Sequence, residues 1–185
     1  MYQEEKSKRD RWSNEIFEYA EMIFGTVIVV MLIFTFVIRP ATVFGSSMYP
    51  TLKDGDRVMI SKLFYTPKQG DVVVIPHPNM PDNEPALIKR VIALEGQTVD
   101  IDFESGEVRI DGVVQDEPYI NELTHEPEDM TGPVTVPEGE VFVMGDNRNA
   151  SSDSRCANYG TFDKDYILGR CLFRLNPFGK IRGTN

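Results

Sequence analysis

Residues 86–94, ALIKRVIAL, set two adjacent cations inside a run that is otherwise apolar. As a strand, the run presents Leu87, Lys89, Val91 and Ala93 on one face and Ile88, Arg90, Ile92 and Leu94 on the other. Both faces are largely apolar, the pattern of a strand covered on both sides. An edge strand whose Lys89 and Arg90 reach out to water fits the same letters. The pattern alone does not choose between the two. The choice matters chemically, because a buried lysine loses hydration and desolvation favours its neutral form.

Similar short β-branched runs lie on either side. They cover residues 57–63, 71–75, 98–103, 107–110, 140–144 and 166–175. Asp54-Gly55, Gln69-Gly70, Ser105-Gly106 and Asp111-Gly112 punctuate them as turns. The runs on either side of Ser105-Gly106 read as a hairpin. Residues 76–85 form a proline-rich loop. Residues 115–137 are acidic and turn-rich, with Glu117, Glu122, Glu126, Glu128 and Asp129, and read as a peripheral excursion from the sheet. No long stretch beyond Ala41 has a 3.6-residue apolar period. The expected fold is therefore mainly β, a barrel or folded sheet with one sizeable core.

The N-terminal region is different. Residues 22–38 (MIFGTVIVVMLIFTFVI) carry no charge and approach the length of a bilayer-spanning helix. Arg39-Pro40 ends the run, since proline breaks a helix interior. Lys6, Lys8, Arg9 and Arg11 precede it, with Trp12 as an interfacial residue, whereas only Arg39 follows it before Lys53. That asymmetry predicts a cytoplasmic arm over 1–14, an anchor over 15–39 and an exported domain over 40–185. A buried core helix would carry a polar stripe, which is missing here. A cleaved signal would have a shorter apolar run and an A-x-A-like site, which Val43-x-Gly45 matches only weakly.

Composition removes several function classes. The chain of 185 residues has a formal net charge of -10. The part from Arg39 onward holds 15 bases against 23 acids, or -8. A nucleic-acid binder needs a basic footprint instead. His77 and His125 are isolated, and Cys156 and Cys171 have no C-x-x-C spacing, so no metal site is expected. There is no phosphate-binding glycine loop, and no organic cofactor is expected.

What remains is serine with lysine. Residues 45–52 (GSSMYPTL) place Ser46 and Ser47 in a turn after the apolar stretch. A free lysine titrates near 10.4 and is a poor base at neutral pH; lowering that by about two units costs roughly 2.7 kcal/mol. Apolar walls around Lys89 would supply the shift and make it a base for a serine nucleophile. Residues 145–155 (GDNRNASSDSR) follow an apolar strand as a polar loop. Asp146, Arg148, Asp153 and Arg155 can pair within it. Ser151, Ser152 or Ser154 could orient a neighbouring amine.

These segments resemble, in order, the motifs of the bacterial type I signal peptidases, membrane-anchored serine proteases with a Ser/Lys dyad. Residues 45–52 resemble the family's G-x-S-M-x-P-T-L, residues 89–91 its K-R-V, and residues 145–155 its G-D-N-R-x-x-S-x-D-S-R. The single anchor and short length resemble the Gram-positive forms. The resemblance implies Ser47 as nucleophile, Lys89 as general base, and Ser151 bonded to the lysine amine. It implies the Ser47 N–H as one oxyanion donor. Some members carry a second donor two residues before the nucleophile, where this chain has Gly45. Asp146, Arg148, Asp153 and Arg155 would brace the site. It also implies a twisted β catalytic domain with a lobe inserted at about 103–137, and secretory preproteins as substrates. Small residues at the first and third positions before the cut would fill shallow pockets, and the substrate would add as a strand. Cys156 and Cys171 are either a disulfide pair or two free thiols. Two other functions fit the residues: a self-processing or maturation protease with the same dyad, and a non-catalytic membrane-anchored β module that binds partners.

Overall fold

The computed structural model describes residues 2–76 and 86–183. His77 and most of the expected proline-rich loop lie outside the described residues. The chain divides into two units, Met1–Ile38 and Arg39–Asn185.

The first unit is one helix, α1, Tyr2–Phe36. Within it Glu15–Thr35, with a mean hydropathy of 2.0, is long and apolar enough to cross a membrane. Thr26, a polar residue in this stretch, returns its hydroxyl to the Met22 carbonyl at 2.8 Å, which satisfies the group without water. The helix begins twelve residues before Asn14 and so runs through the arm expected over 1–14. It ends before Arg39-Pro40, where the residue preceding a proline is driven to extended backbone.

The second unit is built of β1 (Arg39–Thr42), β2 (Arg57–Ser61), β3 (Val72–Ile75), β4 (Leu87–Leu94), β5 (Thr98–Asp102), β6 (Glu107–Ile110), β7 (Val113–Val114), β8 (Val134–Thr135), β9 (Glu140–Met144), β10 (Phe162–Asp163) and β11 (Gly169–Asn176). Seven strands form an antiparallel sheet in the order β1-β2-β11-β3-β4-β9-β10. The other four form a small sheet, β7-β6-β5-β8. The expected hairpin is β5–β6, with Val99 opposite Ile110 and Asp102 opposite Glu107. Both of its strands lie in the small sheet, so that sheet starts at Thr98, ahead of the lobe expected over 103–137.

β4 is an interior strand between β3 and β9, with Lys89 3% and Arg90 0% exposed. The edge-strand reading is thereby excluded. The sheet is covered on both faces. Val72 and Val74 pack with Val58, Ile60, Ile88, Met48 and Leu52. Val73 and Ile75 pack with Val91, Val141, Val143 and Phe162. A third cluster joins Ile92, Ala93, Phe142 and Met144 to the hydrophobic residues of the small sheet. One feature of β4 departs from simple alternation. Its register on β9 slips between Val91 and Ala93, so Leu94 packs with the cluster of Leu87 and Val91 instead of opposite to it. An extra residue at a bulge reverses the side-chain alternation beyond it.

Candidate active site

The segment around Ser47 is held by turns. The Tyr49 N–H bonds the Ser46 carbonyl at 3.0 Å, and the Leu52 N–H bonds the Met48 carbonyl at 2.9 Å. Met48 and Leu52, 1% and 0% exposed, anchor the segment in the core. Ser47, just before Met48, is only half-buried. Its Oγ lies 2.8 Å from Lys89 Nζ. Ser46 takes another part: its carbonyl accepts from Asn147 Nδ2 at 3.1 Å. The Asn147 N–H bonds the Ser47 carbonyl at 2.9 Å. Asn147 thus fastens the polar loop to the serine.

Lys89 comes to Ser47 with a depressed pKa of about 8, against 10.5 for a free lysine. Desolvation by the covered strand is the main cause. The charges of Asp153, Glu128 and Asp146 oppose it, and that of Arg155 assists it. Among the described residues no carboxylate makes an ion pair with the amine, so burial prevails.

Gly145 lets the loop approach this closely. A Cβ there would collide with the Ser151 side chain and the Ser47 carbonyl. Its N–H donates to Asp153 Oδ2 at 3.0 Å. Ser151 donates its hydroxyl to the same oxygen at 2.8 Å, and no hydrogen bond joins it to Lys89. The expected Ser151–amine bond is therefore replaced by one to a carboxylate two residues along, a stronger acceptor. The Gly45 N–H, at φ +78°, donates to Asp54 Oδ1 at 2.8 Å and is committed to that turn.

The ionic residues of the loop pair only partly among themselves. Arg155 Nε meets Asp153 Oδ1 at 2.8 Å, with both side chains fully buried. Asp146 instead accepts from Arg90 Nε at 2.8 Å and Nη2 at 2.7 Å. Arg148 Nη1 reaches Glu117 Oε2 at 2.8 Å and Thr124 Oγ1 at 2.9 Å. The loop is thus braced against β4 and against residues 117–124 as well as on itself.

The sequence model for "Signal peptidase, peptidase S26" matches residues 16–176. The chain belongs to this signal peptidase family. It is a serine peptidase of the signal peptidase I group. Signal peptidase I of Bacillus licheniformis is 38% identical over 192 aligned positions, covering 98% of this chain and 99% of that one. Signal peptidase IB of Staphylococcus aureus strain COL is 35% identical over 186 positions, covering 91% and 93%. The crystal structure of a signal peptidase I from Enterococcus faecalis V583 is 32% identical, covers 57% of this chain and 97% of that chain, and gives a TM-score of 0.47.

In this signal peptidase the acidic segment expected to be peripheral reaches the site. Glu117 holds Arg148, and Glu126 offers its carbonyl to Arg155 Nη1 at 2.6 Å. Glu128 accepts the Asp153 N–H at 3.2 Å from a backbone at φ +51°. That conformation is uncommon for a residue with a Cβ and marks a position held by its surroundings. Nothing in the acidic run distinguishes Glu128 from its neighbours, so the sequence reads it only as part of a peripheral excursion from the sheet. The two cysteines are free thiols; Cys171 is buried, and burial pushes its pKa up to about 12.

Proposed function

We propose that this chain removes N-terminal signal peptides from exported preproteins, using Ser47 as nucleophile and Lys89 as general base. The observation that carries the reading is the 2.8 Å approach of Lys89 Nζ to Ser47 Oγ by a lysine whose pKa is drawn down to about 8. Neutral Lys89 takes the Ser47 hydroxyl proton as Oγ attacks the scissile carbonyl carbon. The protonated amine then gives that proton to the leaving nitrogen as the peptide C–N bond breaks and the acyl-enzyme forms. Lys89 next deprotonates a water, which attacks the ester, and the serine recovers its proton as the acid departs. The Ser47 N–H serves the oxyanion. Its support is that the turn leaves it unused among the described residues, while the Gly45 N–H is taken by Asp54.

The helix anchors the enzyme, with its basic N-terminal arm in the cytoplasm and the catalytic unit exported. Support comes from Lys6, Lys8, Arg9 and Arg11 preceding a stretch apolar enough to span the bilayer. Anchoring keeps enzyme and membrane-borne substrate in one layer and raises their effective concentration. Neither a metal nor an organic cofactor enters these steps.

The test is cleavage of a purified preprotein by the detergent-solubilised full chain. Ser47→Ala and Lys89→Ala should each lower kcat/KM by about 10³-fold or more, since each removes the covalent or proton-transfer step. In the wild type, kcat/KM should rise with pH and level off above about pH 8, the value that burial sets for the base. Full activity in either variant would refute the dyad. Self-cleavage without preprotein cleavage would favour a maturation protease, and no cleavage by the wild type would favour a binding module.

A further inference from the structure

We propose that a basic recess beside the turn after Ser47 binds a phosphate-bearing anion, the headgroup of an anionic lipid. The recess, about 340 Å³, is lined by Thr51, Lys53, Arg174, Lys180 and Arg182, with Asp56 as the one acid in its wall. Four cations and one carboxylate thus converge on a unit whose formal charge is -8.

The acid is already occupied. Asp56 Oδ2 accepts from Arg174 Nη1 at 3.1 Å and from the Lys53 N–H at 2.9 Å. Lys53, Lys180 and Arg182 make no ion pair among the described residues. Converging like charges repel, and a multivalent anion removes that repulsion while taking several N–H donors at once. Thr51 adds an independent observation. Its hydroxyl is the single buried side-chain polar atom without a hydrogen-bond partner among the described residues. Lys180 and Arg182, together with Lys53, whose amine stands 6.0 Å over the Tyr49 ring, suit an oxygen-rich ligand, with Thr51 in the same wall.

The surroundings favour a lipid source over free phosphate. Phe178, next to Pro177 in the recess wall, is 82% exposed, and Tyr49 in the same wall is 41% exposed. Exposed aromatics interleaved with lysine and arginine match a membrane–water interface, where anionic headgroups attract each basic residue. The chain also carries a helix able to cross a membrane. A headgroup in the recess would hold the turn over residues 49–53, which starts two residues after Ser47.

Lysine acylation measured by mass spectrometry on the full chain tests this without any turnover, so its outcome is separate from that of the peptidase reading. In mixed detergent micelles, phosphatidylglycerol should slow the labelling of Lys53 and Lys180 about fivefold relative to phosphatidylcholine. Lys164, paired with Glu95 elsewhere, should be unaffected. The Lys180→Glu chain should lose the protection of Lys53, with Lys164 labelling and the thermal midpoint reporting that it is folded. Equal protection by inorganic phosphate in phosphatidylcholine micelles would keep the anion site and overturn the lipid source. Protection by neither anion, equal protection of all three lysines, or protection of Lys53 that survives in folded Lys180→Glu would overturn the site.

Discussion

Lys89 and Arg90 are neighbours on one strand, both nearly sealed from water, and they face very different partners. Arg90 Nε and Nη2 bond both oxygens of Asp146, and its guanidinium also donates to the carbonyls of Gly70, Arg182 and Gly183 at 2.7–3.1 Å. The Tyr119 ring lies 3.9 Å from its central carbon. An arginine does not give up its proton in a protein, so burial is tolerable only with every donor matched. Lys89 has the Ser47 hydroxyl as its hydrogen-bond partner and no ion pair among the described residues. A lysine can shed its charge, and here desolvation draws it toward doing so. Burial is common to both sites. The partner opposite each side chain decides which is locked as a structural cation and which is left able to serve as the base of the proposed reaction.

Arg90 depends most on Asp146. Asp146→Ala leaves Arg90 charged, buried and short of its carboxylate, and should cost about 3–5 kcal/mol in denaturant unfolding of the solubilised chain. Unchanged stability would mean that the carbonyls and Tyr119 suffice, and the contrast would fail.

The second effect has the opposite sign. Lys89 titrates at about 8 in the folded chain against 10.5 when free. Between those values the unfolded chain binds more protons, so wild-type stability rises with pH across that window. Below pH 8 the full penalty applies, about 3 kcal/mol at 1.36 kcal/mol per pKa unit. Lys89→Met should therefore abolish activity yet be the more stable protein at pH 7. Its advantage should shrink through pH 8 and vanish above about 10.5. Stability curves that run parallel across that range would show that Lys89 is not desolvated.

The smallest effect sharpens the contrast at Glu128. This carboxylate raises the lysine pKa against desolvation. Glu128→Gln keeps a hydrogen-bond acceptor for the Asp153 N–H and removes the charge. The rising limb of kcat/KM should move to lower pH. A fall in kcat with an unmoved limb would assign Glu128 a purely structural part.

Much of this was legible in the letters. The runs over 57–61, 72–75 and 140–144 are strands because β-branched residues stand between glycine turns. Short pieces such as Val113–Val114, Val134–Thr135 and Phe162–Asp163 were not legible. Two residues carry no period, and they are strands only because a neighbouring edge offers hydrogen bonds. Arg39–Thr42 is a strand for the same reason, pairing with β2 although Pro40 disfavours it. Likewise, Asp146 and Arg148 were legible as paired ions, but not their partners Arg90 and Glu117, which lie 56 and 31 residues away.

From the letters come a charge-free apolar run over residues 22–38, most of it in one long helix, a β unit with an acidic balance, and a short set of chemically able residues. Those depend on composition and local period, which act over a few residues. Tertiary structure decided that Lys89 lies on an interior strand, that Ser47 and not Ser46 meets it, and that Ser151 turns to Asp153. It also brought Glu128 to the polar loop over 145–155 and gathered four cations into one recess with Thr51. Each of these depends on distance and dielectric between groups remote in the chain, and folding alone sets both.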